Sequence, residues 1–262
     1  GVLGALAWLP GFEWPAVTRT QKLPWVMAAC LGLALFELAR NREGRPEWAW
    51  PIGWLGWALA SLWLAGGRVS PQELGAAMGL GGGILFLLAR RSQGPPARPA
   101  AKATVVVLAT IGLAALAATG GSLLMAQLAI LLASAIVVSA LWAWLRRAKG
   151  AEVSAGLWVC FGIAWLCIAW IWLLASPPST ASPPPGTFDP ISGMRVAILA
   201  LAFAVPALVD RLIPPGRTSR WGSAATVLLA VVPIAVALAW PGGAPSPGAA
   251  QDPDDPYLTP AR

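Results

Sequence analysis

The stretch ATVVVLATIGLAALAATGGSLLMAQLAILLASAIVVSALWAWL, Ala103 to Leu145, holds two apolar runs and no charged residue. Each run, 103–119 and 122–145, is within the length that crosses a hydrocarbon core of about 30 Å as a helix. Only a Thr-Gly-Gly-Ser corner divides them. Thr119, Gly120 and Gly121 are turn residues, and Ser122 suits the N-cap of the second run. A link this short lays the two runs side by side and antiparallel. In lipid the backbone must satisfy its own hydrogen bonds, so both are expected to be helices.

The same pattern repeats along the chain. Segments 23–39, 48–66, 71–89, 155–175, 193–213 and 222–240 are also apolar and of spanning length, which makes eight. The expected fold is therefore all-α, a polytopic transmembrane helical bundle of about eight spans occupying 23–240. Composition agrees. Of 262 residues, 57% are hydrophobic and 11% charged, and the mean hydropathy is +0.68. A soluble domain carries about 25% charged residues. Residues 1–22 read as an interfacial apolar segment or the remnant of an upstream helix, the second being favoured. Residues 241–262, rich in Pro and Asp, read as a disordered tail.

The net charge of +7 would suggest nucleic acid in a soluble protein. Here the cations sit in loops between apolar runs, which points to topology and away from nucleic acid. Arg40, Arg42 and Arg45 follow the first segment, and Arg90, Arg91, Arg98 and Lys102 the third. Arg146, Arg147 and Lys149 follow the fifth, and Arg211, Arg217 and Arg220 the seventh. The opposite side keeps only Arg19, Lys22, Arg68, Arg195 and Arg262. The positive-inside rule places the four rich loops in the cytoplasm and both ends of this chain outside. Tryptophans fall near both expected interfaces: Trp48, Trp142, Trp144, Trp158 and Trp221 inside, Trp25, Trp63, Trp172 and Trp240 outside. Trp54, Trp57 and Trp165 fall nearer the middle and read as helix packing.

The chain has no histidine, which removes Ser-His-Asp and Cys-His catalysis, histidine metal sites and histidine-ligated haem. It lacks a phosphate-cradling glycine loop and paired Cys-x-x-Cys motifs. Asp252, Asp254 and Asp255 lack the glycine and distal glutamate of a calcium loop. No catalytic, metal or cofactor-binding residue is expected, and no cofactor. Cys30, Cys160 and Cys167 lie in apolar segments. Cys160 and Cys167 are about 10 Å apart along a helix, too far for a disulfide.

Ionisable residues at membrane depth are functional candidates by default. Glu37 lies deepest, three residues before Arg40. Asp210 abuts Arg211 at the end of the seventh segment. Glu73 opens the third, where a carboxylate suits a helix N-terminus. Surface pairing or helix-end charge is the plainer account of each. Gln127 lies about a turn and a half inside its helix, with Ser134 seven residues on along about the same face. Such a stripe either joins helices or lines a cavity. Gly75, Gly79 and Gly83, at spacing four, form a smooth strip for close helix packing. Pro206 and Pro233 are expected to kink the last two segments.

Gln21-Lys22-Leu23-Pro24-Trp25 before the first segment, and Gly121-Ser122 followed by Gln127-Leu128, resemble a family of uncharacterised multi-pass bacterial membrane proteins. The resemblance implies a bacterial inner-membrane protein and brings no activity. The first functional reading is a non-catalytic structural or accessory subunit, partnered by the lipid bilayer and by a membrane protein or a second copy. A permease for a small, weakly polar or amphipathic solute is the alternative, with Gln127 and Ser134 lining its cavity. A membrane enzyme acting on lipid-linked substrates through Glu37 and Asp210 is third. A permease predicts a polar cavity at mid-depth, whereas a scaffold predicts a dry bundle with an exposed flat face.

Overall fold

The computed structural model describes residues 49–66, 69–92, 99–145, 155–175, 189–212 and 219–240, with Lys22, Trp25, Ala29 and Gly32 singly. The described elements are helical throughout: α1 (Ala49–Ala65), α2 (Pro71–Ser92), α3 (Pro99–Thr119), α4 (Leu123–Leu145), α5 (Ala155–Ala175), α6 (Pro190–Ala200), α7 (Val205–Leu212) and α8 (Ser219–Ala239). A 3-10 turn, Leu201–Phe203, joins α6 to α7. Among the described residues, six helical segments are long and apolar enough to cross a membrane. The seventh, α1, has 17 residues. The chain is a multi-pass helical membrane protein. Of the expected span 23–39 only Trp25, Ala29 and Gly32 are described, and the flanks 1–21 and 241–262 lie outside the described residues.

Local sequence sets the helix ends. At α2, Ser70-Pro71-Gln72-Glu73 forms a reciprocal capping box. The Ser70 backbone N–H and hydroxyl donate to Glu73 Oε2 (3.1 and 2.7 Å), and the Glu73 N–H donates to Ser70 Oγ (3.3 Å). Pro71 takes the first helical position, where its missing N–H costs nothing. At α6 the Asp189 carboxylate accepts from the Ser192 N–H (2.9 Å), again with proline first. The α3–α4 corner is a Schellman motif. The Ser122 N–H donates to the Ala117 carbonyl (2.9 Å) and the Gly121 N–H to Ala118 (3.1 Å). Gly121 has φ +80°, open to glycine without strain. The Ser122 carbonyl then accepts from Ala126 (3.1 Å), so Ser122 stands at the α4 N-cap position.

The segment expected at 193–213 begins at Pro190 and is two helices. Pro206 has no N–H, and its ring would clash with the carbonyl four residues back. The chain answers by tightening: the Ala204 N–H donates to Leu201 (2.9 Å) in the 3-10 turn, and α7 starts at Val205. Pro233 is carried inside α8 without such a break.

Helices α1, α2 and α5 pack together in one group. The α3–α4 hairpin packs with α8, which also covers α6 and α7. Helix α5 bridges the groups through α3, α4 and α6. Its span is 78% buried within the protein, whereas that of α8 is 28% buried. Large apolar side chains such as Leu131, Val138, Leu228 and Val232 point outward, as a lipid-facing surface requires.

Candidate functional site

The described interior of the bundle combines tryptophans with leucine, isoleucine and alanine side chains. Trp50, Trp54 and Trp57 of α1 recur at helical spacing and lie over α2. The Trp57 indole N–H donates to the Ala77 carbonyl (3.2 Å), and Trp50 Nε1 donates to Gly82 (3.3 Å). A Cβ on Gly81 would overlap the Trp57 indole, and one on Gly82 would lie 2.7 Å from Trp54 Cδ1. These two glycines let α1 approach. Gly75, Gly79 and Gly83, the expected packing strip, have open space where a Cβ would project. Inside the bundle their expected role is taken by the glycines one face over, and the strip itself faces outward.

Trp57 and Trp165 are fully buried, in keeping with a packing role. Trp57 meets Trp170 edge-on (6.2 Å between centroids), and Trp165 meets Phe203 (5.1 Å). Trp165 Nε1 donates to the Ala109 carbonyl of α3 (3.3 Å). Trp54 is partly outward. Trp172, expected at the outer interface, is instead 2% exposed and lies against Gly120 of the α3–α4 corner. Trp63, Trp142, Trp144 and Trp240 are exposed, consistent with the belts expected of them.

Among the described residues the polar side chains at membrane depth do not converge. Ser61 donates to Ala58 (2.9 Å), Thr110 to Val106 (2.7 Å) and Thr226 to Gly222 (2.8 Å). All three are buried, and each returns its hydroxyl to a carbonyl of its own helix. Ser134 does the same with Ile130 (3.0 Å), but on an exposed face of α4. Gln127 is exposed too. Asp210 and Arg211 are exposed at the end of α7. Glu37 and Cys30 lie outside the described residues. Among the described residues no disulfide joins Cys160 and Cys167. Among the described residues no three metal-ligating side chains gather.

Sequence reasoning missed two cations that finish helices. Lys22 Nζ donates to the Trp63 carbonyl in the last turn of α1 (2.8 Å) and lies 5.6 Å from the centre of the Trp63 ring. Arg195 donates from Nη2 to the Trp240 carbonyl just beyond α8 (2.8 Å). A cation is favoured where a helix exposes its last carbonyls. The partners are 41 and 45 residues away in sequence, so spacing carries no sign of either contact. No protein-family model, no curated protein and no solved structure matches the chain.

Proposed function

We propose that this chain is a non-catalytic structural or accessory subunit of a bacterial inner membrane, with its basic loops in the cytoplasm. One observation carries the reading: among the described residues the buried hydroxyls of Ser61, Thr110 and Thr226 are each spent on their own helix, and the tryptophan donors Trp57 and Trp165 are spent on neighbouring backbones. Among the described residues these buried donors are not aimed at a common point. The outward positions of Gln127 and Ser134 withdraw the main support from a permease. The exposed position of Asp210 at a helix end lends none to an enzyme. The loop charges support the orientation, and the resemblance of Gln21–Trp25 and Gly121–Leu128 supports the bacterial inner membrane.

An accessory subunit needs a face for its partner, and we assign it to the outward glycine strip of α2. Bulky lipid-facing side chains are the rule elsewhere on the surface, whereas glycines at spacing four admit another helix closely. The test is extraction of the intact protein from its own membranes in mild detergent, followed by mass spectrometry of what co-migrates. A membrane protein in stoichiometric yield, lost in Gly79→Ile, is the expected result. A chain that migrates alone, or a partner that Gly79→Ile retains, overturns the assignment.

A further inference from the structure

Helix α4 lies at the margin of the bundle, with α3 and α5 as its main neighbours. Its inward side is carried by Met125, Ala126, Ala129, Leu132, Ala133 and Ile136. At about 100° per residue, the direction opposite that side runs through Gln127, Leu131, Ser134, Val138, Leu141 and Leu145. All six are exposed, and the three leucines and Val138 are each more than half exposed. Their spacing alternates between four and three residues. That alternation keeps one seam of a helix turned toward a partner helix in a left-handed pair.

Outward leucine and valine suit lipid tails as well as they suit a protein. Gln127 does not. It stands four residues after Leu123, about 6 Å along the helix axis. Leu123 and Leu124, both exposed, lie between it and the α3–α4 corner. Its amide carries two N–H donors and a carbonyl acceptor, and among the described residues it has no hydrogen-bond partner. The Ser134 hydroxyl on the same line is already bonded to the Ile130 carbonyl (3.0 Å). An amide left unpaired in hydrocarbon is costly. The outward line of α4 therefore holds one group that lipid tails cannot satisfy.

We propose that a second copy of this chain covers this line, with α4 packed along α4 and the two Gln127 amides bonded to each other. Copies inserted in one membrane share one orientation, set by their loop charges. A two-fold axis between them then runs along the membrane normal, and identical residues of the two α4 helices meet at the same depth. Gln127 faces Gln127. Each amide gives one N–H and accepts one, so the same residue supplies both halves of the pair. Ser134 faces Ser134, and its small side chain lets the two backbones draw close. Leu131, Val138, Leu141 and Leu145 fill the rest of the seam. One polar pair in an otherwise apolar seam also fixes its register. A different protein would have to bring a polar group of its own to this depth, whereas a second copy brings one by symmetry. The inference does not depend on the accessory role, on the glycine strip of α2 or on which way the chain faces.

The test reconstitutes the intact chain in liposomes at falling protein-to-lipid ratios and reads the dimer fraction by single-molecule photobleaching. Gln127→Leu is expected to weaken association about tenfold. Gln127→Asn, which keeps the amide, is expected to retain most of it, and Gly79→Ile on α2 to leave it unchanged. A second measurement does not rely on altering Gln127. With Cys30, Cys160 and Cys167 changed to Ala, Ser134→Cys in native membranes is expected to give a disulfide-linked dimer on mild oxidation. Leu228→Cys, outward on α8, is expected to stay monomeric. A monomer at every dilution, a Gln127→Leu protein that associates as tightly as the unaltered chain, or a Leu228→Cys dimer as abundant as that of Ser134→Cys overturns the proposal. Self-association abolished by Gly79→Ile moves the contact to α2 and overturns it as well. A different protein captured at Ser134→Cys in place of a second copy overturns the choice of occupant.

Discussion

Gly81 and Gly79 stand two residues apart on α2 and meet opposite surroundings. A methyl group at 81 runs into the Trp57 indole, which is 1% exposed and has nowhere to go. At 79 it enters open space. Gly81→Ala is therefore expected to cost about 1–3 kcal/mol through overpacking. Gly79→Ala is expected to gain up to about 1 kcal/mol from helix propensity alone. Reversible unfolding in mixed micelles measures both, and equal effects would contradict the α1–α2 contact described above. The glycines themselves were legible in the sequence. Their division of labour was not, because spacing four marks a strip without saying which side of the helix a neighbour occupies. The same holds for Gln127 and Ser134, whose shared face was readable but whose outward direction was not.

The two devices that shape α2 and the α6–α7 segment are local, and each was visible as a few consecutive residues. Ser70→Ala removes one side of the capping box and is expected to cost about 1 kcal/mol. Ser70→Asp, which can still cap, is expected to recover most of that in the same unfolding measurement. Pro206→Ala restores the missing N–H. The 3-10 turn at Leu201–Phe203 is then expected to relax into continuous α-helix, with the amide gained at position 206 bonding the Ala202 carbonyl. Hydrogen exchange at that amide reports the change: slow exchange is expected, and rapid exchange would mean that the packing of Phe203 on Trp165, not the proline, holds the tighter turn. A kink was foreseeable at both prolines, yet only Pro206 breaks its helix. The break lies beside Ala202 and Phe203, both fully buried, and packing against α3, α5 and α8 decides how the strain is resolved.

At the scale of the whole molecule, two cations on the cation-poor side turn out to complete helices. Lys22 and Arg195 each bond a carbonyl at the C-terminal end of α1 or α8. The proposed threading can therefore keep these cations outside without weakening the charge rule that orients the chain. With Cys30, Cys160 and Cys167 changed to Ala, the single substitutions Gln93→Cys and Ser179→Cys test that threading. A membrane-impermeant maleimide added to intact cells is expected to label the position at 179 and spare the one at 93. The reverse pattern would invert the orientation, and labelling at both would place 93 and 179 on the same side.

Length and apolarity alone determined that this protein crosses the membrane many times as helices, because the bilayer leaves a backbone no other way to satisfy its hydrogen bonds. Turn and cap residues determined where several of those helices start and stop, because these bonds are made within a few residues. Only the tertiary structure decided which helix lies at the centre. The spans of α5 and α8 have the same mean hydropathy, 2.2, yet α5 is enclosed by protein and α8 is mostly outward. Lipid tails are as apolar as a leucine side chain, so hydrophobicity cannot tell a protein interior from the bilayer. What singles out α5 is shape: Trp165 reaching the Ala109 carbonyl and Phe203, and Trp170 meeting Trp57. Those contacts join residues far apart in the chain and exist only once the helices have come together.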